Sequence, residues 1–205
     1  MGPAVSGQSA FAARGQDLEL AQRCCDGDRG AQRELFQRLK IGVHHTLFRI
    51  LGSNRDLEDL IQDAFLEIFR ALPSFRGDST LSRWSQTIAT RTAYLAIERR
   101  KPTAVELDVV EEEIVDKDPD QHRITLARAA AKRLYLALDK IDVKQRVAFA
   151  LAVIDGLPLA EVAEITESSL VATKTRVWRA RRDLLRRAKK DPVLASYMAD
   201  LGGDV

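Results

Sequence analysis

A chain of 205 residues, 45% apolar and 30% charged with a formal net charge of only +2, has the material for one domain or two small ones with real cores. Ala, Leu, Arg, Glu, Gln and Lys dominate and no sustained run alternates with period two, so an all-α fold is expected. No segment reaches the roughly 20 apolar residues of a membrane span, the N-terminus lacks the blocks of a secretory signal, and the adjacent Cys24 and Cys25 offer no disulfide framework, which together suit a protein of the reducing cytoplasm.

Residues 1–16, rich in Gly, Ala, Ser and Gln without periodicity, read as a mobile arm. From Asp17 to Arg100 the chain reads as one helical domain, broken at Gly27-Asp28, Gly52-Ser53-Asn54 and Pro73 to Asp78. Within it, Asp56 to Leu72 is strongly amphipathic. Leu57, Leu60, Ile61, Ala64, Ile68 and Leu72 form an apolar face, and Asp59, Gln62, Asp63, Glu67 and Arg70 form the opposite one.

Residues 101–123 read as a flexible acidic linker. Between Glu106 and Asp120 the acids Glu106, Asp108, Glu111, Glu112, Glu113, Asp116, Asp118 and Asp120 meet only Lys117, and such a like-charged stretch repels itself. A second small helical domain is expected over 124–190, followed by a tail at 191–205. The three histidines, His44, His45 and His122, stand at no metal-ligand spacing with the cysteines. Nothing in the chain calls for a cofactor.

The most informative stretch lies between Pro158 and Leu185. Leu159 to Ile165 reads as a short helix with Val162 and Ile165 on one side, Thr166-Glu167-Ser168 as a turn, and the following residues as a helix capped by Ser168 or Ser169. Leu170, Val177, Ala180, Leu184 and Ala188 make its expected buried stripe, with Lys174, Arg176, Arg179, Arg181 and Arg182 mostly off it. Between Glu161 and Lys190 nine cations face four acids, so positive charge is concentrated here within a nearly neutral chain. A support helix, a three-residue turn and a longer basic helix is the geometry that places the second helix in a DNA major groove, and local cations supply phosphate neutralisation.

Asp59-Leu60-Ile61-Gln62-Asp63, followed by Phe65, Phe69, Pro73 and Phe75, resembles the core-binding helix of bacterial RNA polymerase sigma factors. Arg76-Gly77-Asp78-Ser79 with Trp84, Ile88 and Ala89, and the segment Gly156 to Arg182, resemble the group with extracytoplasmic function (ECF). The resemblance spans about residues 17 to 188. It implies that 17–100 corresponds to sigma region 2 and 124–190 to region 4, an initiation factor with no chemistry of its own. Its partners would be core RNA polymerase, through the β′ coiled coil and the β subunit, promoter DNA, and an anti-sigma factor.

On that resemblance Asp59, Gln62, Asp63, Phe65 and Glu67 would meet polymerase. Ser79, Arg83, Arg91, Tyr94, Arg99 and Arg100 would hold the opened minus-ten strand through stacking and phosphate contacts, with Trp84 packed in the core instead. Ser169, Ala172, Thr173, Lys174 and Arg176 would lie nearest the bases of the minus-thirty-five duplex, and Arg179, Arg181 and Arg182 nearer phosphate. The linker would mimic nucleic-acid charge in a basic channel. The chain departs from the family at the turn, where Thr166-Glu167-Ser168 replaces the common Leu-Gly-Ile, and at Ala172-Thr173 in place of Thr-Val. The rival readings are an ordinary helix-turn-helix regulator, a polymerase-binding protein without promoter melting, and an interaction module whose acidic and basic halves bind each other. No nucleophile and base pair, phosphate-cradling glycine loop or metal cluster points to an enzyme.

Overall fold

A computed structural model of the chain describes residues 5–53, 56–99 and 119–200, and all the regular structure among them is helical. The N-terminal half holds α1 (Val5–Cys25), α2 (Arg29–Leu51), α3 (Leu57–Ala71) and α4 (Leu81–Arg99), with a single 3-10 turn at Leu72–Ser74. The C-terminal half holds α5 (Pro119–Leu138), α6 (Val143–Phe149), α7 (Leu159–Ile165), α8 (Leu170–Ala188) and α9 (Pro192–Asp200). A π-helical turn, Ala150–Ile154, prolongs α6.

α2 is the central element. Asp28 caps its N-terminus, accepting the Gly30 and Ala31 amides at 2.8 and 3.1 Å. The Arg23 guanidinium, and then those amides, hold the Asp28 carboxyl below the usual carboxylate range. At the other end the Gly52 N–H returns to Phe48 O with φ +72°, and a Cβ on Gly52 would lie 2.1 Å from the Tyr135 ring. Only glycine closes the helix there and lets α5 approach. Leu35, Leu39, Val43, Leu47 and Ile50 run down one side of α2 and are buried with Ala64, Ile68, Leu72, Leu81, Ala89 and Ala93. Each such Leu or Ile contributes roughly 1.5–3 kcal/mol of burial.

The two halves are packed together, where the sequence pointed to two small domains joined by a flexible linker. Val147, Ala148, Ala150, Leu151, Val162, Ile165 and Val177 join the same buried cluster as α2, α3 and α4. A second core of Leu134, Leu138, Phe149, Ala180, Leu184, Leu194 and Met198 lies within the C-terminal half. Arg146, only 2% exposed, crosses the junction: its Nε donates to Ile50 O at 3.0 Å, Nη2 to Leu51 O at 2.9 Å, and Nη1 to Asp139. Beside it Tyr135 donates its hydroxyl to Arg49 O at 2.8 Å, and Arg49 pairs with Asp155.

Several expected boundaries shift. α1 begins at Val5, inside the stretch read as an unpatterned arm. Once a helix is nucleated and packed from Asp17 onward, each further Ala, Gln or Phe adds a hydrogen bond at little cost, with no apolar stripe required. α5 begins at Pro119, where the preset φ of proline suits a first helical position, rather than near residue 124. The expected tail forms α9: Asp191 caps it through Leu194 N at 3.1 Å, and Leu194 and Met198 are each 2% exposed. Leu170, expected in the buried stripe of α8, is exposed, and Thr173 takes its place inside. Residues 101–118 of the acidic linker lie outside the described residues.

Candidate polymerase and nucleic-acid interfaces

Three surfaces carry the residues singled out from the sequence. On α3, Asp59, Gln62, Asp63 and Glu67 are all exposed, because burial of Leu57, Ala64 and Ile68 turns the opposite side outward. Phe65 departs from expectation. It is 5% exposed, its ring centre 4.5 Å from that of Phe36 and near Phe69, so it supports the helix from behind and offers no surface to a partner. Leu66, 61% exposed, instead projects among the acids. It adjoins a groove of about 580 Å³ between α3 and α4 that Asp63, Glu67, Arg91, Leu95 and Arg99 also line. Its signal was an apolar residue on the polar side of an otherwise clean helical pattern.

The second surface is α4 and the loop before it. Ser79 is half-buried; Arg91 and Arg99 are exposed; Arg100 lies outside the described residues. Trp84 packs against Phe75 with ring centres 5.3 Å apart, in the core as expected. Tyr94 donates its hydroxyl to Glu98 at 2.5 Å, and that hydrogen bond raises its phenol above the ordinary value. Arg83 is paired with Glu161 of α7. With Arg91 and Tyr94 it faces the C-terminal half.

The third surface is α7, the turn and α8. Ser168 N donates to Ala163 O at 2.9 Å and Glu167 N to Glu164 O at 3.1 Å, the paired bonds of a helix end whose next residue is left-handed. That residue is Glu167, at φ +47°. The turn therefore holds a left-handed backbone conformation with a side chain that resists it. Hydroxyls bind the turn together: Thr166 Oγ1 lies 2.9 Å from Ser168 Oγ, which lies 2.8 Å from Thr173 Oγ1. Thr173 also donates to Ser169 O at 3.1 Å and is fully buried, so it locks the two helices and cannot reach a base. Ser169 caps α8 through Ala172 N at 3.2 Å.

Beyond the cap, Lys174, Arg179 and Arg182 are exposed and Ala172, Arg176 and Arg181 half-exposed. Trp178, which the sequence pattern did not single out, is 58% exposed, with Arg182 stacked on it at 4.7 Å from ring centre. Its signal was a large aromatic off the buried stripe, between two cations. Arg176 turns inward, lining a cleft of about 390 Å³ with Lys144 and Glu167 on one side and Thr87, Thr90, Arg91 and Tyr94 on the other. Two of the residues expected to hold single-stranded DNA, Arg91 and Tyr94, and one expected to read duplex DNA, Arg176, thus share a cleft between the halves.

Comparison with known proteins follows this division. Residues 35–103 match the family model "Sigma-70 region 2" and residues 131–184 match "Sigma-70, region 4". The ECF RNA polymerase sigma-E factor of Escherichia coli K12 is 30% identical over 173 residues, covering 80% of this chain and 90% of that protein. The chain belongs to the ECF sigma factors. The sigma-E factor of Haemophilus influenzae is similar at 27% identity over 173 residues, 80% of this chain and 91% of that protein. Among solved structures, CnrH in complex with the cytosolic domain of CnrY shares the fold at a TM-score of 0.59 and 22% identity, over 85% of this chain and 98% of that one. The sigma factor RpoE of Bartonella quintana, in complex with the anti-sigma factor NepR, does so at 0.51 and 20%, over 78% of this chain and 97% of that one.

This sigma factor is therefore a promoter-specific transcription initiation factor that acts with RNA polymerase. Among its described residues no helix is long and apolar enough to cross a membrane, and no cluster of three or more His, Cys, Asp or Glu could hold a metal ion. Cys24 is buried and Cys25 exposed, both as free thiols. Burial pushes the Cys24 thiol up, so it behaves as a small core residue.

Proposed function

We propose that this sigma factor engages core polymerase through the outward face of α3, holds the opened minus-ten strand along α4 and the loop before it, and reads the minus-thirty-five duplex with the first turns of α8. What carries the proposal is the separation of charge over three faces: acids with Leu66 on α3, cations with Tyr94 on α4, and cations with Trp178 on α8. An acidic face suits docking on a basic helix pair such as the β′ coiled coil. Cations beside an exposed aromatic suit a nucleic acid.

The packing of the halves adds a step. Elements centred about 25 base pairs apart lie roughly 85 Å apart along B-form DNA, at about 3.4 Å per base pair. A cleft containing both Arg91 and Arg176 cannot span that distance. The closed arrangement is the resting form, and the halves separate when polymerase and promoter are engaged. The 19 residues between Arg99 and Pro119 reach up to about 65 Å when extended, which together with the size of each half permits the separation. An anti-sigma factor is the expected regulator, since the solved neighbours CnrH and RpoE were captured with CnrY and NepR. The site of action is the cytoplasm, and the factor has no catalytic activity of its own. Reconstituted transcription with purified core polymerase on a genomic library tests the proposal: discrete start sites preceded by two shared sequence elements support it, and unchanged core-only transcripts overturn it.

A further inference from the structure

The acidic side chain of Asp17 is completely buried. One carboxylate oxygen accepts the backbone N–H of Leu81 at 2.8 Å, 64 residues away. The other lies 2.5 Å from Arg38 Nη2, an ion-pair contact from α2. Leu81 is the first residue of α4, and its amide is among the donors that a helix leaves unsatisfied at its start. Thr80 serves the same end locally, its Oγ1 accepting Arg83 N at 3.2 Å. The start of α4 therefore has two caps, one from its own loop and one from α1, and the acid stands at the positive end of the helix.

Leu18 adds a second contact to the same loop. Gly77 sits at φ +75°, and a Cβ built on it would lie 2.8 Å from Leu18 Cδ1. The segment Phe75 to Leu81 is thus fixed at three points: Phe75 on Trp84, Gly77 under Leu18, and Leu81 on Asp17. Between them Arg76, Asp78 and Thr80 are exposed and Ser79 half-exposed. Packing α1 as a plain helix would need none of this, because an apolar residue at position 17 would fill the same site without burying a charge, which is costly unless paired.

We infer that Asp17 is a positioning residue for minus-ten recognition, and that α1 braces the 76–80 loop so that Ser79, Thr80 and Arg83 meet the opened strand in one geometry. The inference rests on the proposed role of α4 and this loop in holding that strand. Holoenzyme assembled from full-length protein and core polymerase tests it on fork-junction DNA with the non-template minus-ten bases randomised. Asp17→Ala should keep core affinity and minus-thirty-five duplex binding, speed hydrogen exchange at the Leu81 amide, broaden the selected minus-ten sequence, and weaken the best fork roughly tenfold. Asp17→Asn, which keeps an acceptor for Leu81, should restore most of the selectivity even if Asp17→Ala folds poorly. Unchanged minus-ten selectivity in both variants overturns the inference, as does an equal loss of core, duplex and fork binding in both. Ser79→Ala with Arg83→Ala is the control for the underlying reading. If that pair also leaves fork selection unchanged, the role assigned to the loop fails, and the bracing function fails with it.

Discussion

Arg146 Nε donates to the Ile50 carbonyl at 3.0 Å, so a guanidinium from the C-terminal half caps the last turn of α2 in the N-terminal half. With Leu51 O and Asp139 as its other partners, this one buried cation holds the closed form in register. Truncating it leaves two helix carbonyls and a carboxylate without their donor, and removing one partner of a buried charged pair costs about 3–5 kcal/mol. Arg146→Ala is expected to lower the melting temperature by several degrees and to enlarge the radius measured by small-angle X-ray scattering, with helicity retained. Tyr135→Phe, which removes the hydroxyl bond to Arg49 O, should cost about 1 kcal/mol and leave the radius unchanged. An unaltered radius for Arg146→Ala would mean that the apolar junction alone keeps the halves together.

The α3 face is tested by charge reversal. Asp59 and Asp63 are exposed and have no part in the buried side of the helix, so Asp59→Lys with Asp63→Lys should leave circular dichroism unchanged. Against a basic partner surface the pair becomes repulsive, and breaking a close complementary charge pair costs several kcal/mol, a fall in core affinity of roughly 100-fold or more. Leu66→Ala should also weaken core binding, because it removes the one large apolar group on that face. Phe65→Ala should destabilise the fold, by roughly 3–5 kcal/mol. Full core affinity in the double-lysine variant would leave α3 as a solvated surface.

How much of this was readable follows from the range of the interactions involved. The α7–turn–α8 unit was legible because caps, breakers and apolar spacing act within a few residues: Ser169 caps, Val162, Ile165, Val177 and Ala180 are buried, and the turn falls at Thr166 to Ser168. The polar side of α3 was legible for the same reason. Phe65 and Thr173 were misplaced because side chains at the edge of a helical stripe are assigned inside or outside by what packs across from them, here Phe36 and the Ser168 hydroxyl. The junction between the halves was not legible, since Arg146 and Ile50 meet across 96 residues, and neither was the brace within the N-terminal half, where Asp17 and Leu81 meet across 64; such contacts leave no periodic trace. α9 does carry a local signal: Asp191-Pro192 is a cap followed by proline at the first helical position.

Asp191 also sets a pH dependence. Donation from Arg133, and then from the Leu194 amide, holds its carboxyl below the usual carboxylate range. A carboxylate depressed in the folded state stabilises above its unfolded value, near 3.9, and loses that contribution as pH falls through the folded value. Asp191→Ala should therefore lower the melting temperature at pH 6, by an amount corresponding to a missing cap of about 1 kcal/mol, and the difference from wild type should shrink as the pH approaches 3. A difference that stays constant over that range would show that the carboxylate charge is not what holds α9.

The left-handed Glu167 gives an unusual opportunity to gain function. A non-glycine residue at φ +47° carries backbone strain of about 1–2 kcal/mol, and its acid stands beside the proposed groove-reading helix. Glu167→Gly should raise stability by about 0.5–1 kcal/mol after the entropy that glycine adds to the unfolded chain. It should also tighten duplex binding by removing a repulsive charge, whereas Glu167→Gln should improve binding without improving stability. If both variants bind duplex like wild type, Glu167 does not face the DNA backbone.

Sequence reading and affinity should separate along α8. Lys174 is exposed one turn past the Ser169 cap, and Arg176 is half-buried in the cleft between the halves, so on the proposed reading Arg176 would reach DNA only after the halves part. Lys174→Ala or Arg176→Ala should relax preference at one or two base pairs, by roughly 1–3 kcal/mol for each bidentate hydrogen-bonded pair removed. Arg181→Ala and Arg182→Ala should instead weaken binding evenly across sequences, each lowering the salt slope by about one for a phosphate no longer neutralised. Thr173→Ala should act through the fold, since it breaks the hydroxyl chain from Thr166 to Ser169 without touching a base. Holoenzyme selections on duplexes randomised at the minus-thirty-five element, run at two salt concentrations, separate these outcomes. A selected sequence that changes with Arg181 or Arg182 but not with Lys174 or Arg176 would place a later turn of α8 in the groove, next to Trp178.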